Sequence, residues 1–266
     1  MHFKDITSKD NSVFKLTKSL SQKKNRHDSG LFLLEGTRLI EEAIAHGVII
    51  EHLIVGEMID KLPANCDDCQ VLRFNNKMFR EISDTVSPQG VIAVAKQIRH
   101  SLADLIIDQS PLFIVLNGIQ DPGNLGTIIR TSAAANASAV LLTEGTVDLY
   151  NSKVIRATMG ALFQIPIITE LKDSEAINWL KYNKVDILVA DLDTNEYYFS
   201  VNLKEPVAII IGNENKGPSH KWKEASNKKI KIPILGSTES LNAAVAAGII
   251  IYDVVRQRYL NHGHLS

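Results

Sequence analysis

From residue 112 onward, short apolar runs alternate with helical stretches, and this rhythm restricts the fold more than any other feature. The runs that predict strands lie at residues 112–116, 139–142, 165–168, 186–190, 207–211 and 229–234. Helical patterns separate most of them, at residues 125–135, 153–160 and 174–182. Continuous apolar strands that alternate with helices are typical of a parallel sheet covered on both faces. We therefore expect an α/β domain whose ligands bind beyond the carboxyl ends of the strands.

The N-terminal part of the chain mixes helical and strand patterns less regularly and predicts a separate, smaller α/β domain. Its patterns indicate a basic helix at 13–24, a strand at 31–34, a helix at 38–46, a strand at 52–55, a helix at 77–84 and a strand at 90–95. Turn-forming residues close an irregular connection before residue 112. The expected organisation is this small domain over residues 1–100, a linker over 101–111 and a second domain over 112–266.

Composition and charge narrow the classes of protein. With 45% hydrophobic and 22% charged residues, the 266-residue chain can bury a real core. The net charge is only −1, yet residues 1–30 hold seven Lys or Arg against three Asp, and residues 216–231 hold six Lys against Glu224 alone. Each basic run either serves a polyanion locally or is solvated surface.

Targeting and redox signals are weak. The start is polar, and no apolar run reaches the roughly 18 residues of a membrane helix, so we expect a cytoplasmic protein without a membrane partner. The two cysteines, Cys66 and Cys69, form a lone CxxC pattern and are expected to be reduced thiols. No metal is expected.

The first segment with possible chemistry spans residues 116–130, where a strand leads into a Gly-rich turn and a helix. Asn124 is expected to open that helix, with Arg130 close to the same helical face. Such a pair could grip one polar ligand. The alternative is that Asn124 only caps the helix and Arg130 forms a surface ion pair.

The second segment spans residues 207–218, a buried strand that ends in a loop carrying Glu214. Gly212 and Gly217 would allow another backbone or a ligand to approach closely. An ordinary turn would explain the same residues.

The third segment spans residues 228–258, a strand expected to end at Pro233, a polar loop and a helix of small residues. We expect this helix to begin near Ser240, with Ser240 as its cap. Asn242 would then lie in an apolar first turn without a structural need, which indicates a site. Because all three segments follow strands of one expected sheet, they could converge on one crevice.

The three segments resemble the three motifs of the SpoU (TrmH) family. The matching residues are Asp121-Pro-Gly-Asn-Leu-Gly with Arg130, Gly212-Asn-Glu-Asn-Lys-Gly217, and Ile232-Pro-Ile-Leu-Gly with Ser240-Leu-Asn242. Residues 153–163 resemble the middle segment of that family. Residues 32–38 and 87–91 resemble, more loosely, a ribosomal-protein-like RNA-binding domain that many members carry at the N-terminus.

The resemblance implies an S-adenosylmethionine-dependent RNA ribose 2′-O-methyltransferase of the SPOUT class. It also implies a deep trefoil knot in the C-terminal domain and a homodimer whose sites are completed across the interface. Main-chain groups in the loops of the second and third motifs would bind the methyl donor, at Gly212, Asn213, Gly217, Ile232, Gly236 and Leu241. The residues with implied catalytic roles are Asn124, Arg130, Glu214, Ser240 and Asn242.

Guanidinium chemistry restricts what Arg130 can do. Because this group stays protonated, we expect Arg130 to hold an RNA phosphate, so that the phosphate or a water takes the hydroxyl proton. Asn124 would orient Arg130 or the ribose. Glu214 would hold the side chain of Arg130 or of Asn124 in place. The serine and asparagine of the third motif would contact the substrate or a partner loop.

Other functions stay open at this point. A catalytically silent RNA-binding or ribosome-assembly factor could share the fold, although the motif residues are present. A nicotinamide-dependent oxidoreductase would need G-x-G-x-x-G and an acid about 20 residues later, and the spacing of Gly118, Gly123 and Gly126 does not fit. An N-terminal RNA-binding domain favours 23S-type ribosomal RNA over transfer RNA as the substrate.

Overall fold

The computed structural model describes residues 3–57, 59, 62–64, 66 and 69–259. The strands are β1 (Lys4–Ile6), β2 (Leu31–Glu35), β3 (Ile50–Val55), β4 (Val71–Phe74), β5 (Val91–Lys96), β6 (Leu112–Asn117), β7 (Ala139–Thr143), β8 (Ile167–Leu171), β9 (Asp186–Ala190), β10 (Val207–Gly212) and β11 (Lys228–Ile230). The α-helices are α1 (Ser12–Ser19), α2 (Lys23–Ser29), α3 (Thr37–Ala45), α4 (Asn76–Ile82), α5 (Pro122–Ala134), α6 (Ser152–Thr158), α7 (Asp173–Tyr182), α8 (His220–Ala225) and α9 (Ala243–Tyr259).

These elements form two compact units. The first unit contains the residues up to Ile98 together with Tyr150–Phe163. The second contains Arg99–Leu149 and the residues from Gln164 on.

The first unit is built on a mixed five-stranded sheet in the order β1-β4-β3-β5-β2. Strands β1, β4 and β3 are parallel, whereas β5 runs antiparallel to both β3 and β2. Buried aromatic and aliphatic side chains of α1, α4 and the strands form its core, among them Phe14 and Phe74 with ring centroids 5.7 Å apart.

Residues 150–163 pack in this first unit, although sequence patterns placed them in the domain over 112–266. The Tyr150 ring lies 4.6 Å from the Phe32 ring, and the Tyr150 hydroxyl donates to the Ile98 carbonyl at 2.6 Å. Helix α6 packs beside the edge strand β2. The segment therefore covers part of a sheet edge that would otherwise expose unpaired backbone and an apolar face.

The second unit is built on a six-stranded sheet in the order β11-β9-β10-β6-β7-β8. Every strand pair is parallel, as the sequence predicts. Side chains from the strands, α7 and α8 form one apolar cluster around Phe113 and Trp222, and Leu102 and Leu105 pack against it. On α9, buried residues such as Ile250 and Ile251 face inward, and the helix packs on α5. The carboxyl ends of β9, β10 and β6 consequently lie side by side.

Two predicted elements differ from the structure. The strand expected at 229–234 ends at Ile230, and Pro233 has no N–H with which to continue a ladder. The basic helix expected at 13–24 is two helices, because the Arg26 guanidinium donates to the carbonyls of Leu20 (2.7 Å) and Ser21 (2.9 Å) at the break. Strands β1 and β4 and the short helix α8 were not predicted, since each is too short to show a period.

Candidate active site

A carboxylate ties the loop after β10 to the loop after β6. One Glu214 oxygen accepts from the backbone N–H of Asp121 and from the Asn124 side-chain amide, both at 3.1 Å. The other accepts from the backbone N–H of Gln120 at 3.1 Å. Two of the three motif segments are thus joined through one side chain.

The third segment joins them through Asn242. Its Nδ2 donates to Asn124 Oδ1 at 2.9 Å, while its own Oδ1 accepts from the backbone N–H of Ala244 at 2.9 Å. Its carbonyl accepts from the N–H of Ala246 at 2.9 Å. Asn242 is therefore the cap of α9, which begins at Ala243. The expectation that Ser240 caps this helix and that Asn242 has no structural need is wrong.

We call Asn124, Glu214 and Asn242 the amide–carboxylate chain. The orientation of both amides follows from their partners, because a carboxylate only accepts and backbone N–H groups only donate. Asn124 lies in the first turn of α5 rather than at its opening. The cap of α5 is Asp121, whose Oδ1 accepts from the Asn124 N–H at 2.7 Å.

The environment of Glu214 favours its charged form. Partial burial works to raise the pKa of this carboxyl, but hydrogen bonds from Asn124, Gln120 and Asp121 outweigh it and hold the pKa below its ordinary value. Glu214 is therefore an anion that orients its neighbours at neutral pH.

Gly212 is required by a close backbone approach within its own loop. A Cβ at this position would lie 2.0 Å from the Pro218 nitrogen and 2.2 Å from the Gly217 carbonyl carbon. Gly217 has a φ of +67°, which favours glycine. Asn213 closes the loop, because its Nδ2 donates to the Gly118 carbonyl at 2.8 Å and its Oδ1 accepts from two N–H groups of the same loop.

A second polar network, which the sequence patterns do not predict, supports these loops. The Nδ2 of buried Asn117 donates to Thr143 Oγ1 (2.9 Å) and Asp173 Oδ1 (3.0 Å). Asn117 Oδ1 accepts from the Ser219 N–H at 2.8 Å, and the Ser219 hydroxyl donates to Asp173 Oδ2 at 2.7 Å. A polar residue at the end of an otherwise apolar strand was the available signal.

A cavity of about 710 Å³ opens beside the amide–carboxylate chain. Its walls are the residues that follow β9, the loop after β10, the segment after β11 and the start of α9. The expected site residues that line it are Asn124, Gly212, Asn213, Glu214, Gly217, Ile232, Ser240, Leu241 and Asn242. Gly236 and Arg130 do not line it.

Lining residues that the sequence analysis missed include Leu192 and an ion pair, Asp191 with Lys223, at 2.9 Å. Burial works to raise the pKa of Asp191, but Lys223 and a backbone N–H outweigh it and lower that pKa. A strand end carrying Asp-Leu-Asp was the signal that could have found them.

Arg130 lies on a different face of α5 from Asn124. Asn124 is buried, whereas Arg130 is exposed. Six residues correspond to about 600° of rotation, so the two side chains diverge by about 120°. Within the described part of the chain, the Arg130 guanidinium has no hydrogen-bond or ion-pair partner. The expectation that both residues share one helical face is wrong.

The second unit is an α/β domain with a ligand-sized cavity beyond the carboxyl ends of a parallel sheet. The SpoU rRNA Methylase family matches residues 111–252, and the MRM3-like substrate binding domain matches residues 11–93. The chain belongs to the SpoU rRNA methylase family and is a methyltransferase.

Similar proteins cover nearly the whole chain. The 23S rRNA (guanosine(2553)-2′-O)-methyltransferase RlmP of Bacillus subtilis is 33% identical over 94% of this chain and 98% of its own length. The AdoMet-bound rRNA methyltransferase from Sinorhizobium meliloti has a TM-score of 0.88 at 32% identity and covers 96% of this chain and 98% of its own. The SpoU methyltransferase AviRb from Streptomyces viridochromogenes, in complex with AdoMet, has a TM-score of 0.86 at 26% identity and covers 94% and 98%.

Over the described residues, no helix is long and apolar enough to cross a membrane. Three or more His, Cys, Asp or Glu side chains are nowhere grouped to hold a metal ion in that same part of the chain.

Proposed function

We propose that the cavity beside the amide–carboxylate chain binds S-adenosylmethionine and the ribose of an RNA nucleotide. The enzyme transfers a methyl group to a ribose 2′-hydroxyl, and its substrate is ribosomal RNA of the 23S type. Membership of the SpoU family and the AdoMet-bound relatives support this function. The observation that carries the proposal is that one hydrogen-bonded chain joins three motif segments at the edge of a ligand-sized cavity.

The lining residues fit the methyl donor. The volume of about 710 Å³ lies within the ordinary range for a small-molecule site. Apolar side chains such as Leu241 and Ile232 can pack on an adenine ring. The Cβ position of Gly217 is open, with no atom within 4 Å, so a ligand can approach the loop backbone there. Asn213 would keep its loop in shape. That Gly236 contacts the methyl donor stays a prediction.

S-adenosylmethionine supplies an electrophilic methyl group on a sulfonium. The protein must therefore hold the ribose hydroxyl in line with that methyl and assist removal of its proton. Asn124 is suited to orient the ribose, because Glu214 and Asn242 fix its amide and one Nδ2 hydrogen stays available. Ser240 lines the same cavity and would contact the substrate.

Glu214 is not the group that takes the proton. Its oxygens accept from three donors, and its lowered pKa makes it a weak base. We propose that Arg130 holds an RNA phosphate through two parallel hydrogen bonds, and that this phosphate or a water accepts the proton.

The active unit we propose is a homodimer. Arg130 lies away from the cavity of its own chain, so a second copy would have to supply it. Exposed apolar residues on α9, namely Val245, Tyr252 and Tyr259, recur every seven residues and form one stripe suited to a self-complementary interface. The trefoil knot of the second domain, which the resemblance implies, is part of the same proposal.

RNA recognition would begin in the N-terminal part of the chain, where residues 11–93 match a substrate-binding domain. We propose that recognition and chemistry divide at the limits 1–100, 101–111 and 112–266, with residues 150–163 packed in the first unit. A ribosomal RNA substrate would place the enzyme where ribosomes are assembled, which keeps cytoplasmic location as an expectation.

Calorimetry with S-adenosylmethionine and transfer of labelled methyl groups test this function directly. We expect one donor molecule to bind per chain and the label to reach a ribosomal RNA transcript. Arg130→Ala should abolish transfer, and Arg130→Lys should restore little of it because a lysine cannot make the bidentate contact. Donor binding without transfer to any RNA would indicate a silent factor.

Mapping of ribose methylation in cells with and without the gene identifies the substrate. Loss of one site in large-subunit ribosomal RNA is the expected result. Loss only in transfer RNA would overturn the choice of ribosomal RNA.

A further inference from the structure

Two stacked aromatic side chains on the second unit are partly exposed to solvent. After β9, Tyr197 precedes a single 3₁₀ turn (Tyr198–Ser200) that contains Phe199, and the two residues are 39% and 50% exposed. Their ring centroids are 5.4 Å apart and the rings are inclined by only 15°, so they stack almost parallel. The Tyr198 and Phe199 rings form a T-shaped pair with centroids 5.2 Å apart. Large aromatic rings that are stacked but not buried commonly mark a binding surface.

Backbone hydrogen bonds hold this pair next to the cavity wall. The Tyr198 N–H donates to the Lys231 carbonyl at 3.0 Å, and the Lys231 N–H donates to the Glu196 carbonyl at 2.9 Å. Lys231 and the following Ile232 both line the cavity. The aromatic pair is therefore fixed to the segment that we assign to the methyl donor.

The charge around the pair favours a polyanion. Lys231 Nζ lies 5.7 Å from the Tyr197 ring centroid. Neither Lys231 nor Lys216, another lining residue, has an ion-pair partner among the residues that the structure describes. By contrast, Lys228 is paired with Glu196 at 2.9 Å. Exposed aromatic faces beside unpaired cations are the combination that binds single-stranded nucleic acid.

We propose that Tyr197, Phe199 and Lys231 form a nucleobase-stacking site that holds an unpaired base of the RNA beside the cavity. The proposal rests on the proposed RNA substrate. A ribose inside a helix can reach a buried methyl donor only if its nucleotide leaves the stack, and an aromatic face compensates the lost base stacking. Phe199 should contribute more than Tyr197, because Lys231 lies over the Tyr197 ring.

Binding of a short oligouridine, followed by fluorescence anisotropy on the full chain, tests this site. We expect Phe199→Ala to weaken binding about tenfold, Phe199→Trp to retain it, and Tyr197→Ala to have a smaller effect. An abasic ribose-phosphate strand of the same length should bind weakly to the parent and be insensitive to Phe199→Ala. The matched control is Tyr182→Ala, an 85% exposed aromatic residue of the same unit, which should leave both affinities unchanged.

Crosslinking locates the contact and separates it from RNA binding elsewhere on the chain. An oligonucleotide with 5-iodouridine should, after irradiation, label the peptide that contains residues 197–199. In methyl transfer, Phe199→Ala should raise KM for RNA while kcat and S-adenosylmethionine affinity stay within twofold.

Three results would overturn the site: unchanged oligouridine affinity in Phe199→Ala, labelling only outside this peptide, or a change of oligomeric state in Phe199→Ala, which would make the surface a protein interface. Absence of methyl transfer in the parent protein would count against the proposed function instead, because the binding and crosslinking measurements do not need it.

Discussion

Each unit contains a glutamate at or just after a strand end that holds a loop with three hydrogen bonds, but only one of the two borders a ligand-sized cavity. In the first unit, Glu35 accepts from the Ser83 hydroxyl (2.5 Å), the Asp84 N–H (3.0 Å) and the Thr85 hydroxyl (2.6 Å). The space beside it measures about 20 Å³. In the second unit, Glu214 borders about 710 Å³.

The two glutamates differ in the groups that donate hydrogen bonds to them. The three donors to Glu35 belong to one short loop, residues 83–85, so the carboxylate ties that loop to the end of β2. One donor to Glu214 is the side chain of Asn124, which continues to Asn242 and keeps a hydrogen for a ligand. A carboxylate of this kind becomes part of a site when one of its partners is itself a side chain that faces a cavity.

Among changes at the two glutamates and their surroundings, Asn124→Asp should have the largest effect. It removes the Nδ2 donor and places a second carboxylate about 3 Å from Glu214. Two ionised carboxylates at this distance repel each other, so the amide–carboxylate chain would lose the contact between residue 124 and Glu214. We expect the single-turnover rate of methyl transfer to fall about 10²–10³-fold. The control is Asn202→Asp, an exposed asparagine whose Oδ1 accepts from the Lys204 N–H at 3.1 Å, an acceptor that aspartate preserves. A decrease of less than tenfold in Asn124→Asp would contradict the assignment of Asn124 to the active site.

Gly212→Ala should damage the second unit alone. Its Cβ would meet the Pro218 nitrogen at 2.0 Å, and relief of such overpacking costs about 3 kcal/mol. Urea unfolding and calorimetry should show lower stability and lost donor binding, while hydrogen exchange in the first unit stays unchanged. Gly248→Ala is the matched control, because its Cβ would be 3.9 Å from the nearest atom, Thr131 Cγ2. That variant should be as stable as the parent or up to about 1 kcal/mol more stable.

Changing each glutamate to glutamine should have different effects in the two units. Glu35→Gln should lower the stability of the first unit by about 1–3 kcal/mol, because hydroxyl and N–H donors lose a charged acceptor. It should leave S-adenosylmethionine affinity unchanged. Glu214→Gln should lower the methyl-transfer rate about tenfold. Hydrogen exchange of residues 83–85 and single-turnover kinetics measure the two effects, and a rate loss in Glu35→Gln would end the distinction.

The smallest effect concerns pH. Because the folded pKa of Glu214 is lowered, its stabilising contribution is present above its ordinary value of about 4.5 and is lost as the pH falls through the lowered value. Between about pH 6 and 9, Glu214 should therefore cause no inflection in stability or rate. Urea unfolding against pH should show a loss on the acid side that is smaller in Glu214→Gln. An inflection near neutrality that disappears in this variant would contradict the assignment.

Periodicity in the sequence predicted the second unit better than the first. Its four central strands, β9, β10, β6 and β7, are nearly continuous apolar runs, which a buried sheet requires. Strands β1 and β4 of the first unit are three and four residues long, too short to show alternation. Local patterns also could not show that residues 150–163 pack in the first unit, because that contact depends on Phe32 and Tyr150, far apart in the chain.

Motif residues in the site could be named from the sequence, but their contacts could not. Asn124 and Asn242 are 118 positions apart and meet only because the sheet brings their loops together. The sequence does not show where the small-residue helix begins, so it favours Ser240 over Asn242 as the cap. A spacing of six residues is close to two turns, but the remaining rotation of about 120° places Arg130 on a different face from Asn124.

A mixing experiment tests most directly the claim that one site combines the amide–carboxylate chain of one copy with Arg130 of another. Arg130→Ala and Asn124→Ala, each inactive alone, are combined under conditions that allow subunit exchange, and methyl transfer is measured. Half of the dimers are then mixed and each mixed dimer has one intact site, so about a quarter of the parent activity should return. No recovery after demonstrated exchange would show that both residues act within one chain, which contradicts the account.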